Sequence, residues 1–291
     1  LIDVPGLVAV FNFHALLIES FVKELKDAYQ QTYSSLESQF ANIIEWTGQL
    51  ALENIANSDL LYHNVEHTIL VTLVGQTILK GRHLSIGGVT PRDWLHVTMA
   101  LLCHDIGYVR GVCQADRRGE YATGIGQETI EESEDDTDAI LTPYHVDRSK
   151  AFVHERFGAA MLEQVVDADL IAAYIERTRF PVPDEPEYQE IGDYAGLVRA
   201  ADFIGQLGDP NYLRKVPALY YEFEEAGISQ RIGYRNSGHM RRNFAGFYWK
   251  MIFPYLGEAL RYLKVTQEGK LWIANLYAHV HEVEHELGQK G

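Results

Sequence analysis

Apolar residues recur every three to four positions along most of this chain, the spacing that lines one face of an α-helix. The pattern predicts helices over residues 7–30, 36–56, 65–80, 94–106, 151–165, 191–207, 242–264 and 271–287. Alternating apolar and polar stretches long enough to build a sheet are scarce, so the expected fold class is all-α. Loops are expected at Gly81–Pro91, Gly107–Gly126, Phe180–Glu187 and around Gly233–Gly238. The third of these holds FPVPDEP, whose prolines cannot continue a helix. With 291 residues the chain can bury a substantial core, in one large domain or two.

Charge narrows the partners. The 41 acidic residues against 25 basic ones give a formal charge of −16, a field that repels a polyanion, so nucleic acid is not an expected partner. A small anionic substrate stays compatible, because a bound divalent cation reverses the sign locally. Two cysteines, Cys103 and Cys113, indicate no disulfide framework, and a reducing cytoplasm is the expected setting. Cys103 lies in an apolar stretch and reads as a core side chain. No apolar run approaches the ~18–20 residues of a membrane span; Thr68–Leu79 is too short and is interrupted by Gly75 and Gln76. The opening LIDVPG has no basic n-region, so no signal peptide is expected. Seven acids crowd residues 128–138. That segment reads either as a solvated, partly disordered insertion or as a mobile lid.

Three polar anomalies interrupt the apolar helices. His63 and His67 stand four apart in Tyr62-His63-Asn64-Val65-Glu66-His67, a spacing that puts both on one face if the segment starts a helix. His104-Asp105 closes the apolar run Trp94–Cys103. Asp202 lies in LVRAADFIGQL beside two alanines. A buried carboxylate needs a cation or a base, and imidazole with carboxylate suits Zn, Mn, Fe or Mg. Coincidental core polar groups satisfied by hydrogen bonds are the plain alternative. His281-Glu282-Val283-Glu284-His285 matches the zinc-protease pattern H-E-x-x-H. It lies six residues from the end, above an apolar stripe of Leu276, Val280, Val283 and Leu287, and reads as the solvent face of a C-terminal helix. Arg231, Arg235, Arg241 and Arg242 read as a surface loop, or as a grip on phosphate.

The order His…His-Asp…Asp resembles the HD superfamily of metal-dependent phosphohydrolases, and YHNVEH resembles the opening motif of its cyclic-nucleotide phosphodiesterase branch. VHERFGAAML (153–162), VRAADFIGQLGDP (198–210) and FAGFYWKMIFPYL (244–256) resemble later motifs in the same order, covering residues 60 to 260. The resemblance implies an HD-type helical bundle. It would comprise N-terminal helices in 1–56, a catalytic domain over 57–266 with an acidic insertion at 112–147, and a C-terminal helix in 267–291. It makes His67, His104, Asp105 and Asp202 ligands within a centre of one or two divalent metal ions. Asp105 would also be catalytic as a bridge between metals, His63 would be the general acid, and His154 would sit at a second metal or its water. Tyr62, Asn64, Tyr108, Asn243, Phe244 and Phe247 would line the substrate pocket.

Departures accompany the match. The purine-reading Gln of the phosphodiesterases falls on Phe244, with Asn243 beside it, while the aromatic clamp persists as Phe247. A family His four residues after the His-Asp histidine is Tyr108. The implied activity is therefore hydrolysis of a phosphoester or phosphoanhydride in a small, anionic, phosphorylated metabolite or nucleotide. Cyclic-nucleotide hydrolysis, a di-iron oxygenase and a degenerate ligand-binding module are the rival readings. An oligomer that uses the apolar surface of residues 1–56 is compatible with all of them.

Overall fold

The computed structural model describes residues 12–133, 135–158 and 164–288. Among them the chain is an all-α bundle of thirteen helices with one two-stranded hairpin. In order come α1 (Phe13–Tyr33), α2 (Ser38–Ile55), α3 (Val65–Ile86) and α4 (Pro91–Cys103). A 3-10 turn (Ile106–Tyr108) leads to the hairpin β1 (Glu120–Ala122) and β2 (Thr129–Glu131), then to a second 3-10 turn (Asp138–Leu141). The remainder is α5 (His145–Phe157), α6 (Ala168–Glu176), α7 (Pro186–Gln189), α8 (Tyr194–Leu207), α9 (Tyr212–Glu225), α10 (Ile228–Ile232), α11 (Ser237–Phe247), α12 (Gly257–Leu263) and α13 (Gln267–Gly288). No helix among the described residues is long and apolar enough to cross a membrane.

The long helix α3 is the axis of the bundle, with α4, α8 and α12 packed around it. Its first turn is started by Asn64, whose Oδ1 accepts from the backbone N–H of Glu66 and His67. Helix α4 begins with a capping box between Thr90 and Asp93 and has Pro91 in its first turn, where a missing N–H costs nothing. Helix α8 is capped by Asp193, which accepts from Gly196 N at 2.7 Å. Gly205 lets α8 lie directly on α3: a Cβ there would fall 2.7 Å from Val71 Cα. Helices α1 and α2 join the same continuous apolar core through Leu25, Tyr29, Ile44 and Leu52, while Leu16, Leu17, Leu36 and Trp46 stay exposed. Cys103 is fully buried, and burial pushes its thiol up to about 12.

Several boundaries differ from the sequence expectation. Helix α3 runs on through the predicted loop at Gly81 to Ile86. The predicted helix 242–264 is broken: α11 ends at Phe247, a π-turn covers Tyr248–Ile252, and Pro254 sits in a 3-10 turn before α12. Helices α6, α9 and α10 fall where no helix was expected, and α5 begins six residues before the predicted 151. Residues 7–11 and 159–163 of the predicted helices lie outside the described residues.

The acidic segment is largely exposed, as a solvated insertion would be, but it is tied to the bundle through Arg110. Arg110 binds Asp59, Glu132 and Asp138, and Asp138 is buried. Arg241 pairs with Glu282 and Glu286 of α13, each at 2.7 Å, so it grips its own chain. The H-E-x-x-H stretch lies on the outer face of α13, its Glu282 taken by Arg241 and its Glu284 by Trp249 Nε1 at 3.0 Å.

Candidate metal centre

Three helices deliver four donors to one point. His67 comes from the first turn of α3, His104 and Asp105 from the end of α4, and Asp202 from the middle of α8. His67 Nε2 stands 3.2 Å from Asp105 Oδ2 and 3.4 Å from Asp202 Oδ1. His104 Nε2 stands 3.2 Å and 3.6 Å from the same two oxygens. Donors bound to one Zn²⁺ at about 2.0–2.2 Å sit roughly 3.3–3.6 Å apart in a tetrahedron, so these spacings fit a shared cation.

The hydrogen bonding agrees. His104 Nδ1 donates to Leu101 O at 2.7 Å, which leaves Nε2 as the lone-pair nitrogen when the ring is neutral. Metal-ligating histidines are commonly held in this way through their other nitrogen. His104 Nε2 and Asp105 Oδ2 are both buried, and neither makes a hydrogen bond despite their proximity. Two such orphans facing each other are costly unless a proton or a cation lies between them. Burial works against charge at Asp202, yet the facing rings of His104 and His67 draw its carboxyl down to about 2. Burial likewise opposes a charged His104, but Asp105 and Asp202 raise its pKa well above the ordinary value. The centre therefore favours positive charge, and two overlapping groups in it, His67 with His104 and Asp202, and His67 with His63 and Asp105, could each hold a metal ion.

His63 does not share a helical face with His67. It precedes the Asn64 cap, in the irregular connection that leads into α3, because the side chain of Asn64 starts the helix only at Val65. The rings still meet, with centroids 5.4 Å apart. His63 Nδ1 donates to Glu222 Oε2 at 2.5 Å, and the backbone N–H groups of Tyr62 and His63 both donate to Glu222 Oε1. Glu222 is a buried residue of α9. Tyr108 stacks between His63 (4.8 Å, 18°) and His145 (4.3 Å, 11°).

His145, at the start of α5, approaches the centre. Its Nε2 is 3.9 Å from Asp105 Oδ1, and its Nδ1 donates to Thr142 O at 2.6 Å. Burial lowers its pKa, which keeps the ring neutral near pH 7 and its Nε2 lone pair available. His154 is not at the centre. It lies nine residues further along α5, about 14 Å along the axis and half a turn round, exposed and 3.6 Å from Asp169.

The turn after Asp105 is held tightly against α5. Ser149 Oγ donates to His104 O at 2.7 Å and accepts from Gly107 N at 2.9 Å. The buried Arg148 donates to Gly107 O at 2.6 Å and Val109 O at 2.9 Å. A Cβ on Gly107 would lie 2.0 Å from His145 O, so only glycine allows this approach.

Of the expected pocket residues, Tyr62 and Tyr108 are buried against the histidines. Asn64 serves as the helix cap. Phe244 is buried against Tyr212 and Tyr248 and presents no surface, and Asn243 is exposed and donates to His239 O at 2.8 Å. Phe247 is half-buried and meets Phe180 of the proline-rich loop at 5.8 Å. Sequence reasoning missed Glu222 and His145. Glu222 had one usable signal: it continues the buried i, i+3 series Val216, Leu219.

No curated protein matches the chain. One family model, described as Npun_R2479-like, matches residues 11–286, a span that includes every residue of the centre. The chain belongs to the Npun_R2479-like family.

Proposed function

We propose that this protein hydrolyses a phosphoester or phosphoanhydride bond in a small metabolite or nucleotide, using divalent metal held by His67, His104, Asp105 and Asp202. The observation that carries the reading is the pairing of two elements: a four-donor buried cluster, and beside it a histidine whose Nδ1 is tied to a buried carboxylate. The HD resemblance supports it, since the same residue types stand in the same order. Asp105 turns Oδ2 towards His67 and His104 and Oδ1 towards His145 Nε2, so Asp105 and His145 are the residues that would help to hold a second divalent ion.

Divalent metal bound there would activate water and neutralise phosphoryl charge. The residues of the chain handle the rest. As water would attack phosphorus and release a proton to solvent, the P–O bond to the leaving group would break with its electrons on the departing oxygen. His63, its Nδ1–H fixed by Glu222, gives that oxygen a proton from Nε2. Tyr108 holds the faces of His63 and His145 and keeps both rings in place. A buried phenylalanine at 244 offers no purine-reading amide, which favours a broader phosphoester substrate over a cyclic purine nucleotide.

The test is a hydrolysis screen of aryl phosphoesters and nucleotides with added Mn, Zn, Mg or Fe. Metal-dependent turnover that disappears in Asp105→Ala is expected. A metal-loaded protein inert towards every phosphoester would contradict the reading.

A further inference from the structure

Apart from His145, the acidic segment 112–147 takes no part in the reaction above, yet it is bonded both to the connection that carries His63 and to α9. His63 sits in a connection between α2 and α3 where no helix or strand fixes the backbone. Glu222 secures one end of that connection through Tyr62 and His63. The acidic segment secures the other end. Ser58 Oγ donates to Asp138 Oδ2 at 2.7 Å, and the Asp138 N–H donates to Asp59 Oδ1 at 2.8 Å. The same segment also reaches α9. Glu225 lies one turn beyond Glu222 and accepts from Thr137 N at 2.6 Å and Thr137 Oγ1 at 2.8 Å. Ala139 of the second 3-10 turn packs with Leu60 and with Tyr108, the ring that stacks on His63.

One guanidinium joins these pieces. Arg110, two residues past Tyr108, donates to Asp59 Oδ2 at 2.5 Å, to Asp138, to Glu132 and to the Asp136 carbonyl at 3.3 Å. Without it, three carboxylates, one from the connection that carries His63 and two from the acidic segment, would face each other, one of them buried. Like charges in that position repel, and a buried carboxylate without its cation is costly. A lysine cannot replace the fork, because a point charge does not span three acceptors.

From these contacts we infer that Arg110 is a positioning residue for His63. By clamping the acidic segment to Ser58 and Asp59, it fixes the backbone that carries His63 and the Tyr108 ring that packs on it. The segment is thus a scaffold for the proton donor. The inference rests on the reading of His63 as general acid, and it touches none of the four metal donors.

The experiment compares the full chain with Arg110→Ala, Ser58→Ala and His63→Ala, each loaded with Mn²⁺. Turnover is measured on a phosphodiester with a p-nitrophenyl leaving group and on one with an alkyl leaving group. Proton donation matters most for the poor leaving group, so Arg110→Ala should lose about 100-fold on the alkyl ester and roughly 3-fold on the aryl ester. Its metal content should be unchanged. His63→Ala should show the same selectivity, and Ser58→Ala a weaker version of it. Equal loss on both esters, or no loss, would overturn the inference. A second readout works without turnover: the ¹⁵N-histidine spectrum, in which the His63 Nδ1–H resonance is assigned by its disappearance in Glu222→Gln. That resonance should broaden or vanish in Arg110→Ala; if it persists unshifted, Arg110 does not position His63. Should wild type hydrolyse neither ester, the proposed function fails while this spectrum still decides the positioning role.

Discussion

At the residue scale the centre was legible wherever a polar side chain interrupted an apolar helix. His67, His104, Asp105 and Asp202 each occupy a position where a carbon side chain would cost less, and a cluster of imidazoles and carboxylates so placed could hold a cation. Replacement of His104 by Ala should lower metal affinity at least about 100-fold, beyond the 10–100-fold typical of outer partners; titration calorimetry with Mn²⁺ checks it. His145 was not legible because the expected helix began at 151, six residues beyond it, while the expected His154 lies on the opposite face of α5. His154→Ala should leave metal stoichiometry and turnover unchanged. His145→Ala should reduce turnover about 10-fold or more, in the range expected for a group that orients or completes a metal site. Steady-state kinetics of the two variants side by side separates them, and the reverse ranking would mean the approach of His145 to Asp105 is incidental.

At the element scale, site geometry follows from how closely α8 lies on α3. The helical period gave both elements from sequence, but it carries no signal for their separation; that is set by Gly205 against Val71. Gly205→Ala pushes backbone against backbone, so it should separate His67 from Asp202. It should cost about 1–3 kcal/mol in urea unfolding, as overpacking does, and weaken metal binding alongside. Helices α6 and α9 do carry a buried stripe (Ile171 and Ile175; Val216 and Leu219) that the sequence expectation passed over, and both are also tied to their neighbours by polar contacts. Glu176 at the end of α6 accepts from Arg179, Tyr188 and Lys150 and so joins α5, α6 and α7. Burial raises its carboxyl, but those hydrogen bonds outweigh it and bring the pKa from 4.5 to about 2. A carboxylate depressed in the folded state stabilises fully above its unfolded pKa and loses that contribution as pH falls through the folded value. Glu176→Gln should therefore cost about 2 kcal/mol at pH 7, and the gap to wild type should close between pH 4.5 and about 2. A gap that stays constant across that window would remove Glu176 from the account.

At the scale of the whole molecule, one continuous core joins α1 and α2 to the helices that carry the centre, and the net charge of −16 surrounds a site built to receive cations. All four donors belong to the folded state, so metal binding and folding are linked. Saturation at about 100 times Kd adds about 2.7 kcal/mol, which for a chain of this size raises Tm by roughly 4 °C. Chelation should reverse that rise in wild type and have no effect on His104→Ala. The most direct measurement of the central claim is the metal content of purified protein after Mn²⁺, Zn²⁺ or Fe²⁺ loading and desalting, compared with His67→Ala and Asp202→Asn. The account predicts one or two ions per wild-type chain and a loss of at least one ion in each variant. Equal metal content in all three, or none in any, would mean that His67, His104, Asp105 and Asp202 do not form a metal centre.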